Sequence, residues 1–166
     1  MARRTIHETA TRYVSEDLST LLEMIAAGTE SELSFALLLG LPTDAAAVRN
    51  AVDAGLEYNA WERLLRNTGL DREALRATLQ IPARTLSRRK SKGRFSPTES
   101  DRIVRIVRLI GDAIILFEGD VDAARTWLTS PNRGLGGATP LRFAATDLGA
   151  RDVERLIGRL EYGIPS

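Results

Sequence analysis

Six Lys/Arg side chains fall within residues 84–94, in the middle of the chain, and no acidic residue stands among them. Side chains of this type neutralise backbone phosphates, and an arginine can also bind the O6 and N7 atoms of guanine in bidentate fashion. A cationic run is equally typical of a solvated helix face. The choice between these interpretations depends on the elements that carry the run.

The charge is distributed unevenly along the chain. Residues 59–95 carry ten Lys/Arg and three acids, whereas residues 1–58 carry four Arg and nine acids, and residues 96–166 nine Arg and ten acids. The net charge of +1 therefore hides a basic block between acidic and nearly neutral flanks. This pattern indicates a localised surface for a polyanion.

The residues around the cationic run predict a helix-turn-helix. Asp71 is a suitable N-cap for a first helix over 72–79, and Ile81 with Pro82 forms a break before a second helix over 83–91. Leu75, Leu79, Ile81 and Leu86 supply a small core, which leaves the rest of the second helix to face a DNA major groove. Many such motifs have glycine at the position of Gln80, so we expect a slightly different or strained turn.

The second helix and its flank hold the expected DNA contacts. Arg88 or Arg89 suits a bidentate contact to guanine, and Lys90, Lys92 and Arg94 suit phosphates. The full predicted set is Arg84, Thr85, Ser87, Arg88, Arg89, Lys90, Lys92 and Arg94.

Catalytic chemistry finds little support. Cysteine is absent and His7 is the single histidine, which argues against thiolate nucleophiles, Cys/His metal sites and Ser-His-Asp triads. The segment 134–140 resembles a phosphate loop but lacks its Lys-Ser/Thr, and the pairs Glu99/Asp101 and Asp120/Asp122 stand at helix starts, where acids favour the dipole. We expect no enzymatic activity, cofactor or metal.

The location is predicted from absences. The lack of cysteine fits a reducing cytoplasm, no apolar run reaches about 18 residues, and the N-terminus lacks the apolar core of a signal peptide. We expect a cytoplasmic protein without a membrane partner.

Helical periodicity predicts an all-α fold. Ser96-Pro97-Thr98-Glu99 is a strong helix start, and the helix after it carries an apolar stripe to Phe117. Thr139-Pro140 is predicted to begin a helix that ends at Gly149, with a last helix closing at Gly163. The apolar run 34–39 fits a buried strand or a helical turn equally well.

Three units are predicted. Residues 1–57 form a helical segment that packs on the helix-turn-helix or dimerises, and residues 1–15 of it show only weak periodicity. Residues 58–96 form the helix-turn-helix, and residues 97–166 comprise a connecting helix and a small C-terminal helical domain.

Several strings resemble the Xre/MbcA/ParS antitoxin family. They are Arg84 to Arg89, Gly93 to Arg102, Trp127 to Asn132, Leu135 to Leu141, and Glu161 to Gly163. The resemblance covers about residues 60–163, and the Trp-Leu…Pro-Asn…Leu-Gly-Gly-Ala-Thr-Pro-Leu spacing is quite specific.

The resemblance implies an Xre/Cro-like DNA-binding unit followed by a toxin-binding domain, in a type II toxin–antitoxin system. The partners it implies are a RES-domain toxin that consumes NAD+, the operator DNA of the shared operon, and a second copy of the chain. It implies that the C-terminal domain blocks the toxin active site. A stand-alone transcription regulator whose C-terminal unit only dimerises is the alternative.

The same resemblance points to the toxin contacts. Most of them also suit a structural role: a core anchor, a permissive turn or a helix start. The predicted set is Trp127, Asn132, Leu135, Gly136, Gly137, Pro140, Arg142, Tyr162 and Gly163. An exposed aromatic near a chain end is a plausible interface anchor, so Tyr162 and the segment 163–166 are favoured for direct contact.

Overall fold

The computed structural model of the chain describes residues 16–163, and within that range every regular element is helical. The elements are α1 (Glu16–Ala27), a 3₁₀ segment (Ser34–Leu39), α2 (Ala45–Ala54), α3 (Tyr58–Thr68), α4 (Arg72–Thr78), α5 (Ala83–Lys92), α6 (Pro97–Leu116), α7 (Val121–Thr129), a second 3₁₀ segment (Arg133–Leu135), α8 (Pro140–Phe143) and α9 (Asp147–Glu161). The prediction of an all-α fold is confirmed. No described helix combines the length and the apolar character needed to cross a membrane.

Local capping signals fix where most helices begin. The side chains of Asp44, Asp71 and Asp120 each accept a hydrogen bond from the backbone N–H three residues on, at 2.8–2.9 Å. Ser96 and Glu99 form a reciprocal capping box at the start of α6. These contacts satisfy amide donors that lack a partner within the first helical turn, which is why the starts predicted at Asp71, Ser96 and Asp120 are correct.

Helix α6 forms the centre of the fold. Its predicted stripe is buried from Ile103 to Ile114, with side chains at most about 1% exposed, and α2, α7, α9 and the 3₁₀ segment Ser34–Leu39 pack around it. The run 34–39, which fitted a strand or a helical turn, is therefore helical. It lies against α6, where a ladder partner for a strand is absent among the described elements.

The segment before the helix-turn-helix is held by specific polar contacts. Nδ2 of Asn67 donates to the carbonyl of Leu38 at 3.1 Å, and Nη1 of Arg63 lies 3.2 Å from Oδ2 of Asp17. Residues 16–54 thus pack against α3 and α6. The weakly periodic residues 1–15 lie outside the described range.

The predicted helix start at Thr139-Pro140 is confirmed, but the predicted end of that helix at Gly149 is wrong. Helix α8 ends at Phe143, and Thr146 caps a new helix in which Gly149 is the third residue. A Cβ added to Gly149 would lie 1.9 Å from the carbonyl oxygen of Phe143, so this glycine allows α8 and α9 to approach closely. A contact between successive helices leaves no trace in periodicity, so the glycine suggested a helix end.

Candidate functional site

The outward face of α5 is cationic. Leu86 is 7% exposed and marks the side of α5 that faces the core. At 100° per residue, Arg84, Arg88 and Ser91 lie on the opposite side, and Lys92 lies beside them. All four are exposed, and within residues 16–163 none of the three cations forms an ion pair. Their charge is therefore available to an outside polyanion.

Backbone pairing and aromatic packing fix the position of α5. Tyr58 N–H donates to the carbonyl of Gly93 and Phe95 N–H to that of Leu56, both at 2.8 Å. The ring of Phe95, 3% exposed, stacks on Tyr58 at 5.7 Å and lies 6.2 Å from Trp61. The C-terminal end of α5 is thereby attached to the start of α3.

Arg89 points away from the cationic face. Its Nε donates to Oε2 of Glu99 at 2.7 Å and its Nη2 to Oε1 at 3.0 Å, and the two side chains are 17% and 13% exposed. Burial raises the pKa of Glu99, but hydrogen bonds from Arg89 and the Ser96 backbone outweigh it, so the pKa lies below its ordinary value. Glu99 thus caps α6 and also links α6 to α5. The DNA contact of Arg89 stays a prediction.

The other predicted DNA contacts differ in accessibility. Ser87 and Lys90 are exposed, whereas Thr85 is half-buried. Arg94 is exposed, but its Nη1 donates to the carbonyl of Gly55 at 2.5 Å and its Nη2 lies 3.5 Å from Glu57. The DNA role of these four residues stays a prediction.

Gln80 joins the helix-turn-helix to the C-terminal helices. Its φ of 53° places it in the left-handed region, as a glycine at that position would be, at a strain of about 1 kcal/mol. Its Nε2 donates to the carbonyl of Ala145 at 3.2 Å. A groove of about 580 Å³ opens between α4 and α8 at this junction, lined by Ala74, Leu141 and Arg142 among others.

The Asn132–Ala138 loop closes on itself. Asn132 N–H donates to Ala138, its carbonyl accepts from Gly137, and its Oδ1 accepts from Gly134 at 2.9 Å. Gly136 and Gly137 have φ values of 63° and 87°, which side chains rarely adopt. This part of the predicted toxin surface therefore has a structural reason for its residue types.

The remaining predicted toxin contacts fall into two groups. Leu135 and Pro140 are buried, and half-buried Trp127 packs 6.3 Å from the ring of Phe117. Arg142, Tyr162 and Gly163 are exposed, and Tyr162 is 81% exposed. The first group packs within the domain, whereas the second is exposed, and the toxin contact of all six residues stays a prediction. Residues 164–166 of the predicted tail lie outside the described range.

Sequence reasoning missed Leu148, which is 69% exposed in the first turn of α9. Because a helix end is predicted at Gly149, Leu148 is assigned to the end of one helix rather than to the first turn of the next. With the helix starting at Asp147, Leu148 lies off the stripe formed by Val153, Leu156 and Ile157, and that offset would have identified it.

No group of His, Cys, Asp or Glu side chains in residues 16–163 is arranged to hold a metal ion. The described part of the chain instead presents a cationic helix and a C-terminal helical unit joined through α6.

Two family descriptions match these two parts. Residues 44–108 match the Antitoxin Xre-like helix-turn-helix domain, and residues 112–163 match the Antitoxin Xre/MbcA/ParS C-terminal toxin-binding domain. A protein named Antitoxin Xre from Photorhabdus laumondii is 38% identical over 130 residues, which is 77% of this chain and 88% of that protein. The chain belongs to the Xre antitoxin family.

Two further relatives named Antitoxin Xre are matched over shorter lengths. The one from Yersinia enterocolitica is 50% identical over 93 residues, 55% of this chain and 62% of that protein. The one from Pseudomonas putida is 31% identical over 84 residues, 50% of this chain and 52% of that protein. The two domains of an Xre antitoxin bind partners and are not enzymatic, so the expectation of a non-enzyme is confirmed.

Proposed function

We propose that this antitoxin represses its own operon through α5 and, through its C-terminal domain, sterically blocks a RES-domain toxin that consumes NAD+. We further propose that it acts in the cytoplasm as a homodimer, with units at 58–96 and 97–166, and that the described residues 16–57 pack on α3 of the first unit and on α6 of the second. The observation that carries the proposal is the joining, through one long helix, of an exposed cationic helix and a matched toxin-binding domain.

The DNA arm rests on the side chains that α5 exposes. Arg84 and Arg88 lie opposite buried Leu86, so a duplex against this face meets two guanidinium groups first. Arg88 is the candidate for guanine, and Arg84, Lys90 and Lys92 are the candidates for phosphates. A dimer would place two such helices about one DNA turn apart.

Salt titration of operator binding tests the DNA arm. The fragment upstream of the operon is labelled, and its affinity is measured by fluorescence anisotropy at several salt concentrations. We expect Lys92→Gln to reduce the salt slope by about 1, and Arg88→Gln to cost about 1–3 kcal/mol with relaxed specificity at one base pair. Arg49→Gln, exposed on α2, is the charge-matched control.

The toxin arm rests on the domain match over 112–163 and on the family resemblance, which implies a RES fold and NAD+ consumption. Steric cover is the favoured mechanism because the exposed candidates Arg142, Tyr162 and Gly163 belong to this domain. A surface seated on a nucleotide pocket excludes substrate without chemistry of its own.

Titration of the neighbouring gene product tests the toxin arm. With NAD+ as the substrate, we expect its loss to stop at a stoichiometric ratio of the two proteins. Loss that continues in a saturated complex refutes steric blocking. A chain that binds the operator and never binds the neighbouring protein is a stand-alone regulator.

A further inference from the structure

The outward face of α9 combines exposed hydrophobic and cationic side chains. Its inward side is formed by buried Val153, Leu156 and Ile157. At 100° per residue, the opposite side carries Leu148, Arg151, Arg155, Arg159 and Tyr162. We call these five residues the α9 outer face.

Two large apolar side chains mark the ends of this face. Leu148 is 69% and Tyr162 81% exposed, and the helical geometry brings them within about 40° of each other, about 21 Å apart along the axis. The third large exposed hydrophobic side chain among residues 16–163 is Leu160, 37% exposed, which lies about 120° away from Leu148. Isolated apolar surface residues are ordinary, but this pair frames a shared stripe.

The stripe between them is cationic. Arg151, Arg155 and Arg159 are all exposed. Oδ1 of Asp152 lies 2.9 Å from Nη1 of Arg155 and neutralises one of the three. Arginine and tyrosine are also the residue types that supply much of the binding energy at protein interfaces.

We infer that the α9 outer face is the docking surface for the toxin, and that the toxin meets it with an acidic groove bearing an apolar pocket at each end. The inference rests on the proposed function and specifies its partner. The toxin-binding domain match covers the whole face, and charge complementarity requires carboxylates opposite the arginines.

A second copy of the chain fits this face poorly. In a two-fold interface the same patch occurs on both partners, so Arg155 would lie opposite or close to Arg155 of the other copy. Like charges placed against each other cost affinity. An acidic partner removes that cost.

The test uses the full-length chain and the purified product of the neighbouring gene. The double variant Leu148→Ala/Tyr162→Ala removes both apolar ends, and the triple variant Arg151→Glu/Arg155→Glu/Arg159→Glu reverses the stripe. We expect the Kd for the toxin to rise at least about tenfold in each. Arg49→Glu, an exposed reversal outside this face, is the control and leaves it unchanged.

Two further readouts distinguish docking from damage. All changed side chains are exposed, so thermal unfolding and operator affinity of the double variant stay at the wild-type values. If the added acids lower the melting temperature of the triple variant, Arg151→Gln/Arg155→Gln/Arg159→Gln repeats the test without like-charge repulsion. If an altered melt accompanies the loss in the double variant, Tyr162→Ala alone, at the end of the helix, repeats the test.

Unchanged toxin affinity in both variants, with wild-type protein binding normally, overturns the inference and leaves the proposed function intact. Weakened operator binding by the triple variant, with toxin binding unchanged, makes the face a DNA contact instead. Loss of self-association alone makes it a dimer seam. Failure of the wild-type protein to bind the neighbouring product overturns both the inference and the toxin arm.

Discussion

Asp112 provides the sharpest quantitative prediction. It lies on α6, and burial raises the pKa of its carboxyl group from 3.8 to about 6. Arg108 opposes that rise, whereas Glu154, Glu161 and Glu32 add to it. At neutral pH the carboxyl group is ionised, and its charge is less stable in the folded chain than in the unfolded chain. Asp112→Asn removes this charge while keeping the shape.

The size of the expected stability gain follows from the difference in the pKa of Asp112 between the folded and unfolded states. Because a tenfold change in a protonation constant corresponds to about 1.4 kcal/mol, a pKa raised from 3.8 to about 6 corresponds to about 3 kcal/mol. Asp112 is only half-buried by surface area, so we expect a gain of about 2 kcal/mol in the free energy of unfolding at pH 7.5. For a chain of this size that is about 4–8 °C in Tm.

The sign of the pH dependence is fixed by the same pKa. The folded state holds its proton more tightly than the unfolded state between pH 4 and 6, so this group makes wild-type stability fall as pH rises through that window. Above about pH 6 the full cost is present, and it fades as pH falls toward 3.8, below which both states hold the proton. The advantage of Asp112→Asn should therefore disappear toward pH 4.

Urea unfolding followed by circular dichroism at pH 4, 6 and 7.5 measures how the stability gain of Asp112→Asn depends on pH. Asp101→Asn, exposed on the same helix, is the matched control and should change stability little. Equal gains for Asp112→Asn at pH 4 and 7.5 would show that packing rather than ionisation is responsible. A loss of stability at pH 7.5 would refute the reasoning altogether.

Three other predictions concern contacts between different elements of the fold. Gly149→Ala should destabilise the chain by about 1–3 kcal/mol, because the added Cβ meets the Phe143 carbonyl. The control Gly158→Ala, in the same helix, has open space around its Cβ and should stabilise the chain by about 0.5–1 kcal/mol. Equal shifts in melting temperature for the two variants contradict this prediction. Ser100→Ala leaves the buried Leu56 N–H without its 2.7 Å acceptor and should cost about 1–3 kcal/mol in chemical unfolding, and a neutral result would mean that another acceptor replaces it. Arg89→Gln breaks the pair with Glu99 and should weaken operator binding without changing its salt slope; a slope smaller by about 1 would instead identify Arg89 as a phosphate contact.

The sequence alone determined what is local. Caps at Asp71, Asp120 and Ser96 satisfy donors within one turn, and the α6 stripe repeats at helical spacing, so helix starts and the buried face are set by neighbouring residues. The exposed cations of α5 follow from the single inward position, Leu86. Family-specific strings added the two partner classes.

Tertiary structure decided what depends on distances between remote segments. Arg89 is drawn toward Glu99, Gly149 lies against Phe143, and Leu148 is left exposed at the start of α9. None of these is visible in a spacing, because each depends on how two helices approach. The physical reason is that capping and periodicity act over one turn, whereas packing and ion pairs join residues that only the folded chain brings together.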